Sequence, residues 1–169
     1  METLRNLAEI SITIAGFSAL ITLFQNKGTE WKFIDKNNLN RFYIMIESSL
    51  LSCVYCYIPV ILIGFIDTTM TFRVASLIFV MVSLFYSAFV LIRNKKMTGS
   101  ENPGGVGTVL MKYLSFALII LAILNFFGIL GNNYESIYKV IVFIVVIGTF
   151  YFFLRIIYSS IKIPDNHNS

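Results

Sequence analysis

Apolar residues form five long runs along the chain, separated by shorter polar stretches. The runs cover residues 7–24, 42–66, 74–92, 110–130 and 140–158. Each is close to the roughly 20 residues with which a helix crosses a hydrocarbon core of about 30 Å. A barrel strand would alternate apolar and polar positions, whereas the fifth run contains "VIVFIVVIGTFYFF". The pattern therefore predicts an all-α fold, a polytopic transmembrane helix bundle that forms a single membrane domain over residues 1–169.

The composition favours lipid as the solvent of this chain. Hydrophobic residues make up 57% of the sequence and charged residues 13%, against about 45–50% and about 25% in soluble proteins. The first run begins so early that a cleaved signal peptide is an alternative. However, Glu2 and Glu9 flank the only nearby cation, Arg5, and no small-x-small cleavage site follows the run. We therefore expect the first segment to stay in the mature protein.

The positive charges predict an orientation. If all five segments cross, ten of the thirteen Lys and Arg residues lie on the side of loops 25–41 and 93–109, and three (Arg5, Arg73 and Lys139) lie on the other side. The positive-inside rule then puts both loops and the C-terminus in the cytoplasm. If the first segment instead enters the membrane and returns, Arg5 changes sides and the rule is still satisfied. Charge thus leaves two topologies open: five membrane segments, or four plus a re-entrant first segment.

Small and hydroxyl-bearing residues share one helical face of the first segment. They are Ser11, Ala15, Ser18, Ala19 and Thr22. Small residues let helix backbones approach closely and hydroxyls can bond across the contact, so this stripe is predicted to be a helix-contact surface. The contact is either inside one bundle or between copies in a homo-oligomer, and a hydroxyl-lined pore is one form of the second.

Segment five is almost free of polar residues and is predicted to be the most lipid-exposed helix.

Three polar residues are candidates for a role inside the membrane: Glu9, Glu47 and Asn125. An ionisable group at membrane depth is a functional hypothesis by default. Both carboxylates, however, lie near the ends of their predicted segments, where water and lipid headgroups reach them. They lie on opposite sides of the membrane if the first segment crosses, and on the same side if it returns. Asn125 needs a hydrogen-bond partner within the hydrocarbon region.

One proline and one glycine predict where a helix bends and where another ends. Pro59 lacks the N–H that would bond the carbonyl of Tyr55. A kink is therefore expected there, which is either a hinge or a packing feature in which a neighbouring Ser or Thr bonds the freed carbonyl. Gly131 is the expected glycine just beyond the fourth helix.

The segment before the second run is predicted to bind at the membrane surface. Trp31 and the cations around it are typical of an interfacial anchor on the cytoplasmic side, and Asp35 can cap the helix that follows. With Arg41, these residues are the expected docking place for a cytoplasmic protein partner.

Motifs for catalysis, metal binding or nucleic-acid binding do not emerge from the chain. Cys53 and Cys56 lie in an apolar run and His167 is the only histidine, which excludes an ordinary zinc site. The stretch "NPGGVGT" lacks the lysine and the preceding strand of a P-loop. The cations flank apolar runs, where topology and anionic lipid account for them. We predict no enzyme, no metal, no cofactor and no nucleic-acid partner.

The N-terminal half resembles a family of small uncharacterised bacterial multi-spanning inner-membrane proteins. The likeness rests on "LAEISITIAGFSALI", the trio Trp31, Asp35 and Arg41, the stretch from "SSLLS" to "IPVIL" with Pro59, and "FRVASLIF". It implies the bacterial cytoplasmic membrane and no activity. The early "LAE" is also similar to the small multidrug-resistance transporters, but Glu9 is predicted at the end of its helix and no later segment contains a tryptophan.

These observations predict a non-enzymatic integral membrane protein in contact with the lipid bilayer. It would act as a self-associating scaffold or as a partner-gated membrane subunit. Two alternatives stay open. The first is a homo-oligomeric pore or membrane-disrupting effector, such as those that serve phage defence, whose flux through the hydroxyl stripe should depend little on Glu9. The second is a small proton-coupled transporter, which needs the carboxylate of Glu9 or Glu47.

Overall fold

The computed structural model describes residues 1–25, 36–98 and 106–161. These residues form five α-helices and contain no strand, which confirms the all-α prediction. The helices are α1 (Glu2–Gln25), α2 (Lys36–Leu62), α3 (Thr68–Thr98), α4 (Val106–Phe127) and α5 (Tyr134–Ile161). Among the described residues, α2, α3, α4 and α5 are long and apolar enough to cross a membrane, and α1 is not in that set.

The helices extend beyond the apolar runs at the ends that adjoin the two predicted loops. The helix α2 begins at Lys36, α3 continues to Thr98 and α4 begins at Val106. Parts of the predicted loops 25–41 and 93–109 are therefore helical, because hydropathy marks the part of a helix that lipid covers and not where its hydrogen bonds end. The remaining loop residues, 26–35 and 99–105, lie outside the described part of the chain.

At the opposite end of the bundle, two short connections join the helices into antiparallel pairs. Asp67 caps α3, since its Oδ2 accepts a hydrogen bond from the amide of Thr69 at 3.0 Å. The helix α4 ends at Phe127 and is followed by Gly128, whose φ is +75°. The amide of Gly128 bonds the carbonyl of Asn125 at 3.2 Å and that of Ile129 bonds Leu124 at 3.1 Å. This is the Schellman arrangement.

The prediction that Gly131 follows the fourth helix directly was therefore wrong, and Gly128 has that position. Residues 128–130 are apolar enough to continue the run in sequence, but the backbone has already turned. Gly131 also has a positive φ, +87°, and lies in the same connection.

The core of the bundle lies around α5, which packs against all four other helices. Its inward-facing side chains Tyr138, Ile141 and Val142 are fully buried. The prediction that segment five is the most lipid-exposed helix was therefore wrong. Lipid tails are as apolar as leucine, so an apolar helix is equally suited to the centre of a bundle and to its surface.

The first helix runs along the whole bundle. The amino group of Met1 is 3.9 Å from Oε1 of Glu135 in the first turn of α5. Towards the other end, the hydroxyl of Ser18 contacts the sulfur of Met45 on α2 at 3.4 Å. The helix α1 is thus antiparallel to α2 and parallel to α5. The helix α1 is continuous from Glu2 to Gln25.

Candidate functional site

Two of the five residues of the predicted contact stripe of α1, Ser11 and Ser18, lie inside the chain, whereas the prediction of a contact inside the bundle was wrong for Ala19. Ser11 and Ser18 are fully buried, and their hydroxyls donate to the carbonyls of Leu7 at 2.9 Å and Ile14 at 2.6 Å. Ala15 is half-buried and Ala19 is exposed. The side chain of Thr22 lies outside the described residues. Together with the apolar residues Leu4, Leu7 and Ile14, the two serines form a buried seam whose members are alternately three and four residues apart.

The opposite face of α1 is polar and uncovered. All of its side chains are exposed, and the intervals between them alternate between four and three residues: Glu2, Asn6, Glu9, Thr13, Gly16 and Leu20. We call this set the outer face of α1. A Cβ added at Gly16 would have no atom within 4 Å, so no described residue packs on the face at this position. This face was not predicted from the sequence, although its residues recur at the spacing of a heptad repeat.

Glu9 lies further from the helix end than predicted. The helix begins at Glu2 instead of residue 7, so Glu9 is its eighth residue and lies about 12 Å along the axis from Met1 at 1.5 Å per residue. Glu9 is exposed and takes part in no ion pair within the described residues. It opens onto a groove of about 570 Å³ between α1 and α5, whose apolar wall includes Phe17, Phe150 and Phe153.

Glu47 has a different environment. Its Oε1 forms an ion pair with Nη1 of Arg93, and its Oε2 accepts a hydrogen bond from the hydroxyl of Tyr86 at 3.1 Å. The guanidinium of Arg93 also lies over the ring of Phe89, 5.3 Å from its centroid. These contacts join α2 to α3. Glu47 is therefore a partnered carboxylate between two helices, and the structure does not bring it together with Glu9.

Asn125 is fully buried at the end of the bundle that holds the two short connections. Its amide nitrogen donates to the hydroxyl of Ser76 at 2.8 Å and to the carbonyl of Tyr134 at 3.2 Å. Beside it, Nε of Arg73 donates to the carbonyl of Phe126 at 2.8 Å. The amide thus links α3, α4 and the start of α5, as a packing contact.

Pro59 lies inside α2 and is buried. The carbonyl of Tyr55, which lacks its helical partner, accepts a hydrogen bond from the hydroxyl of Tyr138 on α5 at 2.8 Å. A tyrosine therefore takes the place of the expected Ser or Thr. The hydroxyl of Tyr55 bonds Ser83 on α3 at 3.0 Å. The predicted hinge position is thus held by contacts to two neighbouring helices.

The remaining candidates are the predicted docking residues and the two cysteines. Trp31 and Asp35 lie outside the described residues, as does the side chain of Arg41. Cys53 and Cys56 are free thiols, half-buried and buried in α2. No group of three potential metal ligands occurs among the residues that the structure describes.

No protein-family model, curated protein or solved structure matches the chain. The resemblance of the N-terminal half therefore stays a prediction, and the four membrane-length apolar helices suggest a membrane protein. Within it, the outer face of α1 is the candidate functional site, because it holds a carboxylate that the rest of the described chain does not pair.

Proposed function

We propose that the protein is a non-enzymatic multi-pass membrane protein that works as a subunit of a homo-oligomer, assembled through the outer face of α1. The observation that carries the proposal is the exposure of Asn6, Glu9 and Thr13 on one face of a helix that packs against α2 and α5, two of the four membrane-length helices. A charged side chain at the centre of a bilayer costs about 2.5–3.5 kcal/mol on insertion scales. Another copy of the chain removes this face from lipid.

The proposal includes five crossings, with α1 as the first. The 24 residues of α1 extend over about 36 Å, and Met1 lies beside Glu135 at the end that holds both short connections. The N-terminus is then outside the cell and the C-terminus in the cytoplasm, in agreement with the charge distribution. The bacterial inner membrane is the proposed location, because the N-terminal half resembles proteins of that membrane.

A second copy suits this surface because apolar residues flank it on both sides. Ile12 and Ala19 lie along one edge, Ile10 and Phe17 lie along the other, and all four are exposed. In parallel helices with heptad spacing, such flanking positions meet across the contact. In the proposed assembly, the edge with Ile12 of one copy packs against Phe17 and the groove beside α5 of the next copy. Repetition of this contact around a symmetry axis closes a ring.

Other candidate functions have less support. A pore lined by the predicted stripe would need the hydroxyls of Ser11 and Ser18, which bond within their own helix and are buried. A proton-coupled transporter would have Glu9 as its free carboxylate, since Glu47 is paired with Arg93. A cytoplasmic partner that binds near Trp31 and gates the oligomer is part of the proposal and can be tested by co-purification.

Disulfide cross-linking in native membranes tests the assembly. Two differently tagged chains, one with Ile12→Cys and one with Ile10→Cys, positions that lie at nearly the same depth on opposite edges of the outer face, are co-expressed in a background in which Cys53 and Cys56 are alanine. We expect an oxidant to form a species that carries both tags. The matched control pairs Ile12→Cys with Phe116→Cys, an exposed position on α4. Equal cross-linking of both pairs, or none with Ile10→Cys, would contradict assembly through α1.

A further inference from the structure

We propose that the outer faces of α1 from neighbouring copies enclose a water-filled path for small cations, closed at rest by Leu20. This inference rests on the proposed self-association and assigns it an activity. The described face extends from Glu2 to Leu20, about 27 Å at 1.5 Å per residue. That length is close to the hydrocarbon thickness of about 30 Å. A polar surface of this length can line a path across most of the membrane.

The symmetry of a ring favours a water-filled path between the outer faces over direct packing of these faces on each other. In a closed ring, equivalent residues lie at the same depth, so every copy presents its Glu9 carboxylate at one level. Like charges in a medium of low dielectric repel strongly, and the described chain holds no cation paired with Glu9. The ring of carboxylates is relieved when water and mobile cations lie between its members.

The charges of the face favour cations over anions. Its two ionisable residues, Glu2 and Glu9, are both acidic, and Asn6 and Thr13 add neutral polar groups between and below them. Rings of carboxylates select cations in membrane pores. Arg5 lies beside the face near its outer end, one helical turn from Glu9, where lipid phosphates and external water solvate its charge.

Leu20 is the apolar member of the face and lies on the side away from Met1. A ring of leucines at the inner end of a polar path forms an apolar constriction, which gates by excluding water. A resting pore closed in this way leaves the membrane potential intact. The gate also lies near the end of the helix from which the segment with Trp31 continues, so a bound partner could act on it.

Electrical recording from the purified full chain in planar bilayers tests the inference. With a tenfold KCl gradient, we expect almost no current from the wild type and at least a tenfold higher conductance from Leu20→Ser. The reversal potential of this variant should indicate cation selectivity, and adding Glu9→Gln should move it towards zero. Leu154→Ser, which changes an exposed residue of α5 outside the outer face, is the matched control.

The oligomeric state of each variant is measured by the cross-link between positions 12 and 10. If Leu20→Ser forms the cross-linked oligomer and conducts no ions, the path is wrong while self-association stands. An unchanged reversal potential after Glu9→Gln also overturns the inference. If no oligomer forms for any variant, the proposed function itself fails.

Discussion

At the scale of single residues, the hydroxyl of Tyr138 is the contact on which the centre of the bundle depends. It donates to the carbonyl of Tyr55 at 2.8 Å, the backbone group that Pro59 leaves without a partner. Tyr138 is fully buried, and its ring lies 6.0 Å from that of Phe72 between centroids. One side chain thus bonds the interrupted helix α2 and fills the space between α5 and α3.

Replacing Tyr138 by phenylalanine is expected to lower the free energy of unfolding by about 1 kcal/mol. Hydrogen bonds between membrane helices average about 0.6 kcal/mol and reach about 1.7 kcal/mol in double-mutant cycles. The background Pro59→Ala restores the N–H that bonds the carbonyl of Tyr55, so the same replacement should be less costly there. Denaturation in mixed detergent micelles measures both values.

The matched control for this cycle is Tyr151→Phe, which removes a hydroxyl from an exposed position on the same helix. Its effect should be close to zero. If Tyr138→Phe destabilises the protein equally in both backgrounds, the hydroxyl does not compensate for the missing N–H of Pro59.

At the scale of elements, the connection between α4 and α5 shows how a short turn positions its neighbours. A Cβ added at Gly128 would lie 2.7 Å from the hydroxyl of Tyr134, whereas one added at Gly131 would meet nothing within 4 Å. Both glycines have positive φ. The ring of Tyr134 lies 5.7 Å from the guanidinium carbon of Arg73, so the turn also places the cation that bonds the end of α4.

The two glycines give a matched pair of substitutions. Gly131→Ala should lower the free energy of unfolding by about 1–2 kcal/mol, the usual cost of a left-handed conformation for a residue with a Cβ. Gly128→Ala should be more costly by about 1–3 kcal/mol, as is typical of overpacking. In the background Tyr134→Phe, which lacks the clashing oxygen, the two alanine variants should unfold at similar detergent fractions. A persistent difference would mean that the contact with the tyrosine oxygen is not the cause.

At the scale of the whole molecule, the direction of α1 determines on which side of the membrane the N-terminus lies relative to the two short connections, if the bundle spans a membrane. Met1 lies at the end of the bundle with the two short connections, and Ser18 lies towards the other end. The N-terminus and both connections are therefore on one side of the bilayer in the proposed topology. The long connections and the C-terminus are on the other side, with most of the cations.

Labelling of single cysteines in intact cells tests this arrangement, in a background without Cys53 and Cys56. Thr3→Cys, Thr69→Cys and Asn133→Cys should react with an impermeant maleimide from outside. Gly104→Cys should react only after the membrane is permeabilised, and it serves as the control for the opposite side. Protection of Thr3→Cys with labelling of the other two outer positions would contradict a crossing by α1.

The sequence alone was sufficient to predict the number and type of the secondary-structure elements. Five apolar runs predicted five helices, because a backbone in lipid must bond internally, and Pro59 identified the carbonyl of Tyr55 as the group in need of a donor. Helix ends were less accurate: residues 63–66 and 128–130 are apolar and yet belong to turns, since the start of a turn depends on local contacts such as the cap by Asp67.

Which face of each helix is buried was decided by the tertiary structure. Ser11 and Ser18 were correctly picked out as a contact stripe, but only packing showed that their partner is the same chain, and that Asn6, Glu9 and Thr13 remain uncovered. The donor to Tyr55 came from a helix 83 residues away in sequence. The central position of α5 was likewise invisible in its composition. In water, hydrophobicity separates inside from outside; in lipid both are apolar, so shape and hydrogen bonding between distant helices determine the arrangement.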